Sequence, residues 1–409
     1  MSLRVKQLNA DASFLLSFER ALEPSFSCPR PKPFTILTDP WIVGPSKVIH
    51  PFLAVTTHRR AACISTLRDL PEPDIVVISQ HKSDHCNEAT LRQLPPSNTR
   101  TLILAVPAAA RLIKSWNYFD EDKIITIPKW EETARLPYNK GPLIRLPVPS
   151  PAPGGAPGEV TLAYIPQKPD VSGLHAAIGI TYTAPPSVRG LCPRCPLTPP
   201  ATPDRERTIR LPPLPAISPT VQAIHLAPPT PPASPSRSLR SARSAHSVRS
   251  TKSTNSLLPA RSPTLQGRGG PVLSVIFSPH GISYRNLEPY VLSHLLPSSA
   301  LPLTALLHCF DSVSNPWWLG GNISAGAPAG EETAIKLSAR AWVSAHDGDK
   351  NIDGLMTKML RARRYAKEEV QRRLALGEKE DSNGVGTEVL MLEAGKEISM
   401  TEQGVARSA

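Results

Sequence analysis

The residues best equipped for chemistry lie together in 73–87, which reads Pro-Asp-Ile-Val-Val-Ile-Ser-Gln-His-Lys-Ser-Asp-His-Cys-Asn. An apolar run ends in His81, Lys82, Asp84 and His85, and a helical pattern follows. Asp84 and His85, adjacent in sequence, can offer one oxygen and one nitrogen to a divalent metal. Ionisable groups at the C-terminal end of a strand are held by the scaffold while loops shape the space around them. The same residues also fit a polar surface turn, and a single Asp-His pair does not decide between the two. Strand alternation turns His81 away from the face shared by Gln80 and Lys82, which gives it a structural or solvent role.

Such a cluster needs strands to carry it, and the N-terminal part supplies them. Residues 13–18, 34–37, 74–79 and 101–106 are short apolar runs, rich in β-formers and bounded by turn residues. Between them lie a short helical pattern at 88–94 and a longer one at 107–116 that starts with proline. Strands alternating with helices indicate an α/β layered fold. Later strands are expected at 160–165, 177–182 and 272–277, and a helix at 352–376 with Leu355, Met359 and Leu360 on one side.

Composition limits the rest. Proline is the outlier, 47 of 409 residues, more than double the roughly 5 % of ordinary usage. The formal net charge of +12 is concentrated: residues 186–270 hold twelve Lys or Arg against two acids. That Pro/Ser/Arg-rich stretch shows no apolar period and cannot bury enough surface to offset its chain entropy. We read it as a disordered insertion dividing one domain into 1–185 and 271–376, with a flexible tail at 377–409. No apolar run is long enough for a membrane span, and polar residues such as Asn9 and Asp11 interrupt the N-terminus where a signal peptide needs an apolar core. Six cysteines in a chain this long describe no disulfide scaffold, which points to a reduced, cytoplasmic or nuclear protein.

Gln80-His81-Lys82-Ser83-Asp84-His85, at the end of a strand, resembles the first metal motif of the metallo-β-lactamase superfamily, H-x-H-x-D-H, in its lactonase-like and phospholipase-like branch. Asn9-Ala10-Asp11-Ala12-Ser13-Phe14-Leu15-Leu16 is similar to that branch's opening strand, and Asp39-Pro40-Trp41 to its "DPW" strand end. The resemblance covers residues 7–184 and 271–350 and implies a four-layer αββα sandwich. It also implies a site. The family's first metal position would fall to Gln80, Lys82 and His175, the second to Asp84, His85 and His346. Two of the first position's histidines are replaced, and Ser278-Pro279-His280-Gly281 offers no bridging carboxylate. The resemblance therefore implies a reduced site with one divalent ion, zinc foremost, on Asp84, His85 and His346, with His175 as the one imidazole left to the first position. The implied activity is hydrolysis of an ester, lactone or phosphodiester of a small molecule, Lys82 stabilising developing negative charge beside Asp84. The alternative is a catalytically inactive relative that binds a ligand in its pocket or a protein partner through its basic linker.

Other residues are candidates of lower specificity. Asp39 can fix a histidine tautomer or simply close an Asp-Pro turn. His280 and His308 can stand in for missing ligands or serve as satisfied core histidines. Cys192 and Cys195 have metal-type spacing with no second pair nearby, and Cys86 has no placed base. Pro316-Trp317-Trp318-Leu319-Gly320-Gly321-Asn322 is an aromatic turn suited to lining a pocket or packing a core. The Arg/Ser run at 237–252 carries no interleaved aromatics, which argues against specific single-stranded nucleic-acid binding.

Overall fold

The computed structural model describes residues 1–20, 32–48, 54–130, 142–170, 172–186, 271–319, 321–354, 359–380 and 386–406. All of them belong to one unit built from the chain on both sides of 187–270. The expected disordered insertion, with Cys192, Cys195 and the Arg/Ser run, lies outside the described residues.

The N-terminal strands are β1 (Ser2–Gln7), β2 (Phe14–Glu19), β3 (Phe34–Thr38), β4 (Ser46–Val48), β5 (Ala54–His58), β6 (Ile75–Ile78), β7 (Leu102–Ala105) and β8 (Ile124–Thr126). Next come β9 (Ile144–Val148), β10 (Gly158–Pro166), β11 (Ala176–Thr183), β12 (Val272–Ser278), β13 (Ala305–His308), β14 (Ser312–Ser314) and β15 (Asn322–Ala325). The last are β16 (Ala341–Ser344), β17 (Lys350–Asp353), β18 (Arg361–Arg363), β19 (Glu388–Leu390), β20 (Glu397–Thr401) and β21 (Gly404–Val405). The helices are α1 (Glu88–Leu91), α2 (Pro107–Ser115), α3 (Tyr284–Tyr290), α4 (Gly326–Lys336) and α5 (Lys367–Glu380).

Two mixed sheets result, in the orders β21-β20-β1-β2-β3-β6-β7-β8 and β19-β16-β13-β12-β11-β10-β9. Side-chain alternation decides which faces meet. On β12, Leu273, Val275 and Phe277 point to the core between the sheets, while Ile276 points to the outer core with α3, α4 and α5. Aromatic pairs bridge the inner faces: Phe14 meets Phe277 edge-on at 6.4 Å, and Phe18 stacks on Tyr182 at 4.8 Å. The strands β6 and β7 are parallel to their neighbours, and every residue of β6 is buried, as a sheet covered on both faces requires. On the outer side of the second sheet, α4 approaches so closely that a Cβ at Gly330 would lie 2.1 Å from the Trp342 ring. Among the described residues no helix is long and apolar enough to cross a membrane.

The C-terminal region departs from expectation. In place of a helix over 352–376, the chain makes β17 and β18 before α5 begins at Lys367. Arg361, Ala362 and Arg363 pair with β14, so tertiary pairing overrides their helical pattern. The stretch expected to be a flexible tail instead completes both sheets: β19 pairs with β16, and β20 pairs with β1. Cys63, Cys86 and Cys309 are free thiols.

Candidate metal centre

Parallel strands bring their C-terminal ends to one edge of the sandwich. There β3 runs into Asp39, β6 into Asp84 and His85, β12 into His280, and β16 into His346, while the β1–β2 turn adds Asp11. Asp39 and His346 hold φ at +38° and +68°, values uncommon for non-glycine residues and recurrent where function fixes a side chain. The buried Asp39 carboxylate accepts from the Ser79 amide at 2.7 Å and from the Ser79 hydroxyl, and it receives His85 Nδ1 at 2.8 Å.

His85, His280 and His346 offer ring nitrogens that all lie within 4.8 Å of one another. Each ring has a partner for its other nitrogen. His85 Nδ1 donates to Asp39, His280 Nδ1 donates to the Ile323 carbonyl at 2.9 Å, and His346 Nδ1 faces Asp11 Oδ2 at 3.3 Å. Carboxylates and carbonyls only accept, so the Nδ1 of His85 and of His280 carries the proton and the Nε2 of each presents a lone pair inward. The Lys350 ammonium lies 3.2 Å from His346 Nδ1, where it can donate, and 3.5 Å from Nε2. Asp84 Oδ2 completes the group, 3.9 Å from His85 Nε2 and 3.8 Å from His346 Nε2.

These donors fit a metal ion. His85 Nε2 and His280 Nε2 approach to 2.9 Å, and two lone pairs hold that distance only with a proton or a metal cation between them. Tetrahedral ligands at about 2.0–2.1 Å from zinc stand about 3.3 Å apart, within the spread seen here. A carboxylate or carbonyl behind each ligating imidazole is the usual second layer of such sites. The charges agree as well. Asp11, Asp39 and Asp84 against Lys350, whose Nζ is 2.9 Å from Asp11 Oδ1, leave two negative charges, the complement of one divalent cation.

Proton affinities follow from this packing. Burial would raise the Asp11 carboxyl, but Lys350 and His346 beside it outweigh burial and hold it well below the usual range. Burial opposes ionisation of Asp84 too, and His85, His346 and Lys350 together lower it. Burial lowers His280 well below the ordinary imidazole value, helped by His346 and His85. His85 goes the other way: Asp84 and Asp39 raise it despite its burial.

Residues 25–134 match the sequence profile of a family described as the beta-lactamase superfamily domain. Over this segment, 110 of the 409 residues, the chain is similar to that superfamily's domain. Two mixed sheets with helices outside them agree with the layered metallo-β-lactamase sandwich expected from the sequence, a fold whose members bind divalent metals. The matched segment carries Asp39, Asp84 and His85, whereas His280 and His346 come from the chain beyond it. Among solved structures the chain is similar to Igni18, a novel metallo hydrolase from the hyperthermophilic archaeon Ignicoccus hospitalis KIN4/I. The two share 9 % identity over 98 % of each chain, with a TM-score of 0.37. It is also similar to CmlA, a diiron beta-hydroxylase from Streptomyces venezuelae, at 12 % identity over 97 % of this chain and 53 % of that one, with a TM-score of 0.42. No curated protein matches the sequence.

Against the superfamily motif, the expected residues separate into two groups. Asp84, His85 and His346 come together, with His280 as the third imidazole. His175 lies outside the cluster, because its Nδ1 and Nε2 each face a backbone carbonyl at 3.1 Å, of Gly281 and Asn322. Gln80, at a histidine position of the motif, donates to the Leu174 carbonyl at 2.6 Å, and its Oε1 has no partner among the described residues. Lys82 contributes its carbonyl to the amides of His85 and Cys86, while its ammonium makes no hydrogen bond or ion pair among the described residues. The cation beside the cluster is Lys350. His81 is exposed and His308 is buried apart, its Nδ1 against the Cys309 carbonyl at 2.8 Å. Asp11 and Lys350 escaped sequence reasoning. Asp11 sits in a polar turn, and the one signal for Lys350 is its position four residues after His346.

Proposed function

We propose that the protein is a metal-dependent hydrolase that holds a single divalent ion, zinc foremost, through Asp84, His85, His280 and His346. Its substrate would be an ester, a lactone or a phosphodiester. The observation that carries this reading is the convergence of three imidazoles, two of them, His85 and His280, fixed by an acceptor at Nδ1. When bound, such an ion supplies Lewis acidity, polarising a substrate oxygen and making water a stronger acid.

The chain's own groups do the rest. Asp84, with 23 % of its side chain exposed, is the ligand that reaches solvent, and its carboxylate orients the incoming water. Asp39 and the Ile323 carbonyl keep the His85 and His280 rings from turning, and the Lys350 ammonium lies against His346. Lys350 ties down Asp11 and places a fixed positive charge beside His346, on which negative charge developing on the substrate can draw. This gives Lys350 the part expected of Lys82.

A second reading, a protein that binds a ligand without turnover, is supported by the cover over the site: His85 is fully buried and His280 is 4 % exposed. One experiment separates the two. Tag-free protein, dialysed against metal-free buffer and reloaded, is assayed for metal content and then offered an aryl ester, a γ-lactone and a phosphodiester. About one ion per chain with turnover of one class is expected. One ion without turnover favours the binding protein, and no ion above background overturns the metal centre.

A further inference from the structure

A different part of the surface invites contact with something apolar. Trp317 and Trp318 are 87 % and 60 % exposed, the reverse of what two adjacent indoles do in a core. They are held out by a closed turn between β14 and β15, with the Asn315 amide on the Gly321 carbonyl at 2.8 Å and the Gly321 amide on the Pro316 carbonyl at 3.2 Å. On the other side of β14 lies β18, where Arg361 is opposite Ser314. Continuing that antiparallel register carries Met359, itself 45 % exposed, toward the same end of the small sheet.

Behind this apolar tip the sheet turns basic. Directly opposite residues of adjacent strands share a face, so Ser314, Asn322 and Arg361 lie together, with Ser312 and Arg363 beside them. They line an open groove of about 410 Å³. Arg363 stacks on Tyr365 and pairs with Glu369 at 3.2 Å, and Arg364 pairs with Asp349 at 3.0 Å. Arg361 has no partner among the described residues.

An apolar tip with arginines one strand behind it has the layout of an interfacial anchor: indoles at headgroup depth, cations toward lipid phosphates. A second copy of the chain suits it less. Aromatic side chains bury about 150–250 Å² each, so two indoles fall short of the roughly 800 Å² per partner of a stable interface. We propose that this tip docks the protein on an anionic membrane surface, with Trp317 and Trp318 entering the interface and Arg361 meeting lipid phosphate. The inference does not depend on the metal reading, although β15, which supplies the Ile323 carbonyl behind His280, would bring the docked surface next to that centre.

The test is co-sedimentation of the full chain with vesicles of phosphatidylcholine alone or mixed with phosphatidylserine. Binding is expected on the mixed vesicles, weakened about tenfold or more in Trp317→Ser/Trp318→Ser and about fivefold in Arg361→Ser. Circular dichroism should match wild type in both variants, since all three side chains are exposed. Absence of binding, equal binding to both vesicle types, or undiminished binding of the double variant would overturn the proposal. The last result would point to the basic segment 186–270. Concentration-dependent dimers abolished by the tryptophan changes, without vesicle binding, would overturn it in favour of a second copy.

Discussion

His175 and His280 sit at the same edge of the second sheet, one just before β11 and the other just after β12, and both are 4 % exposed. His175 even contacts the carbonyl of Gly281, the residue that follows His280. Residue type, burial and location are thus nearly the same, yet only one of the two turns a nitrogen toward the cluster. In His175 both ring nitrogens face backbone carbonyls, whereas in His280 one carbonyl takes Nδ1 and Nε2 remains for His85. What the second nitrogen meets, not burial, separates a packing histidine from a ligand.

The hardest test of that contrast is to remove each ring in turn. His280→Ala should lower bound metal from about one ion per chain to background, while His175→Ala should keep it, as read by elemental analysis after reloading. If both variants lost the ion alike, the distinction drawn from the second nitrogen would fail.

His308 extends the comparison to a third buried imidazole, and here pH is the probe. Burial lowers its pKa to about 4, against 6.5 for the free side chain. Above pH 6.5 the folded and unfolded states are both neutral at this ring and its full contribution is present. As pH falls from 6.5 toward 4, the unfolded chain takes up a proton that the folded one refuses, and about 3 kcal/mol is lost. Urea unfolding of metal-free protein at pH 7 and pH 5 should show a steeper loss in wild type than in His308→Gln. Parallel slopes would mean that this ring is already charged in the fold.

The smallest of the three effects concerns the support behind a ligand. Asp39→Asn removes the carboxylate that holds His85 Nδ1 and should weaken metal binding by about 10–100-fold without abolishing it. Competition with a chromophoric chelator measures this. Unchanged affinity would show that packing around His85 alone orients the ring.

The parts of the fold that could be read in the sequence are those whose signal is local. Residues 75–78 and 102–105 are unbroken apolar runs, and Pro107 opens a helix with Ala109, Ala110 and Ile113 on one face. The Asp84-His85 pair was legible for a similar reason, being contiguous at a strand end. Strands defined by a distant partner were not legible: β20 is a mixed polar segment that becomes a strand through β1, and β18 reads as basic helix until β14 claims it. The same limit hid the ligand set. No pattern along the chain distinguishes His280 from His175, because Ile323, Gly281 and Asn322, which decide between them, act through backbone carbonyls. Asp11 and Lys350 meet across some 340 residues, and neither has a neighbour in sequence that announces the ion pair.

The strands on either side of residues 187–270 are themselves paired, with Thr183 opposite Val272. The intervening chain therefore leaves and re-enters the sandwich through a doorway one strand spacing wide, about 4.7–4.9 Å. Register across it is set by which face Ile178, Ile180 and Tyr182 and their partners must bury, not by how much chain lies between. At this point the sheet measures where the two ends stand and is indifferent to the distance travelled along the chain, so a two-residue turn or an entire additional module would satisfy it equally.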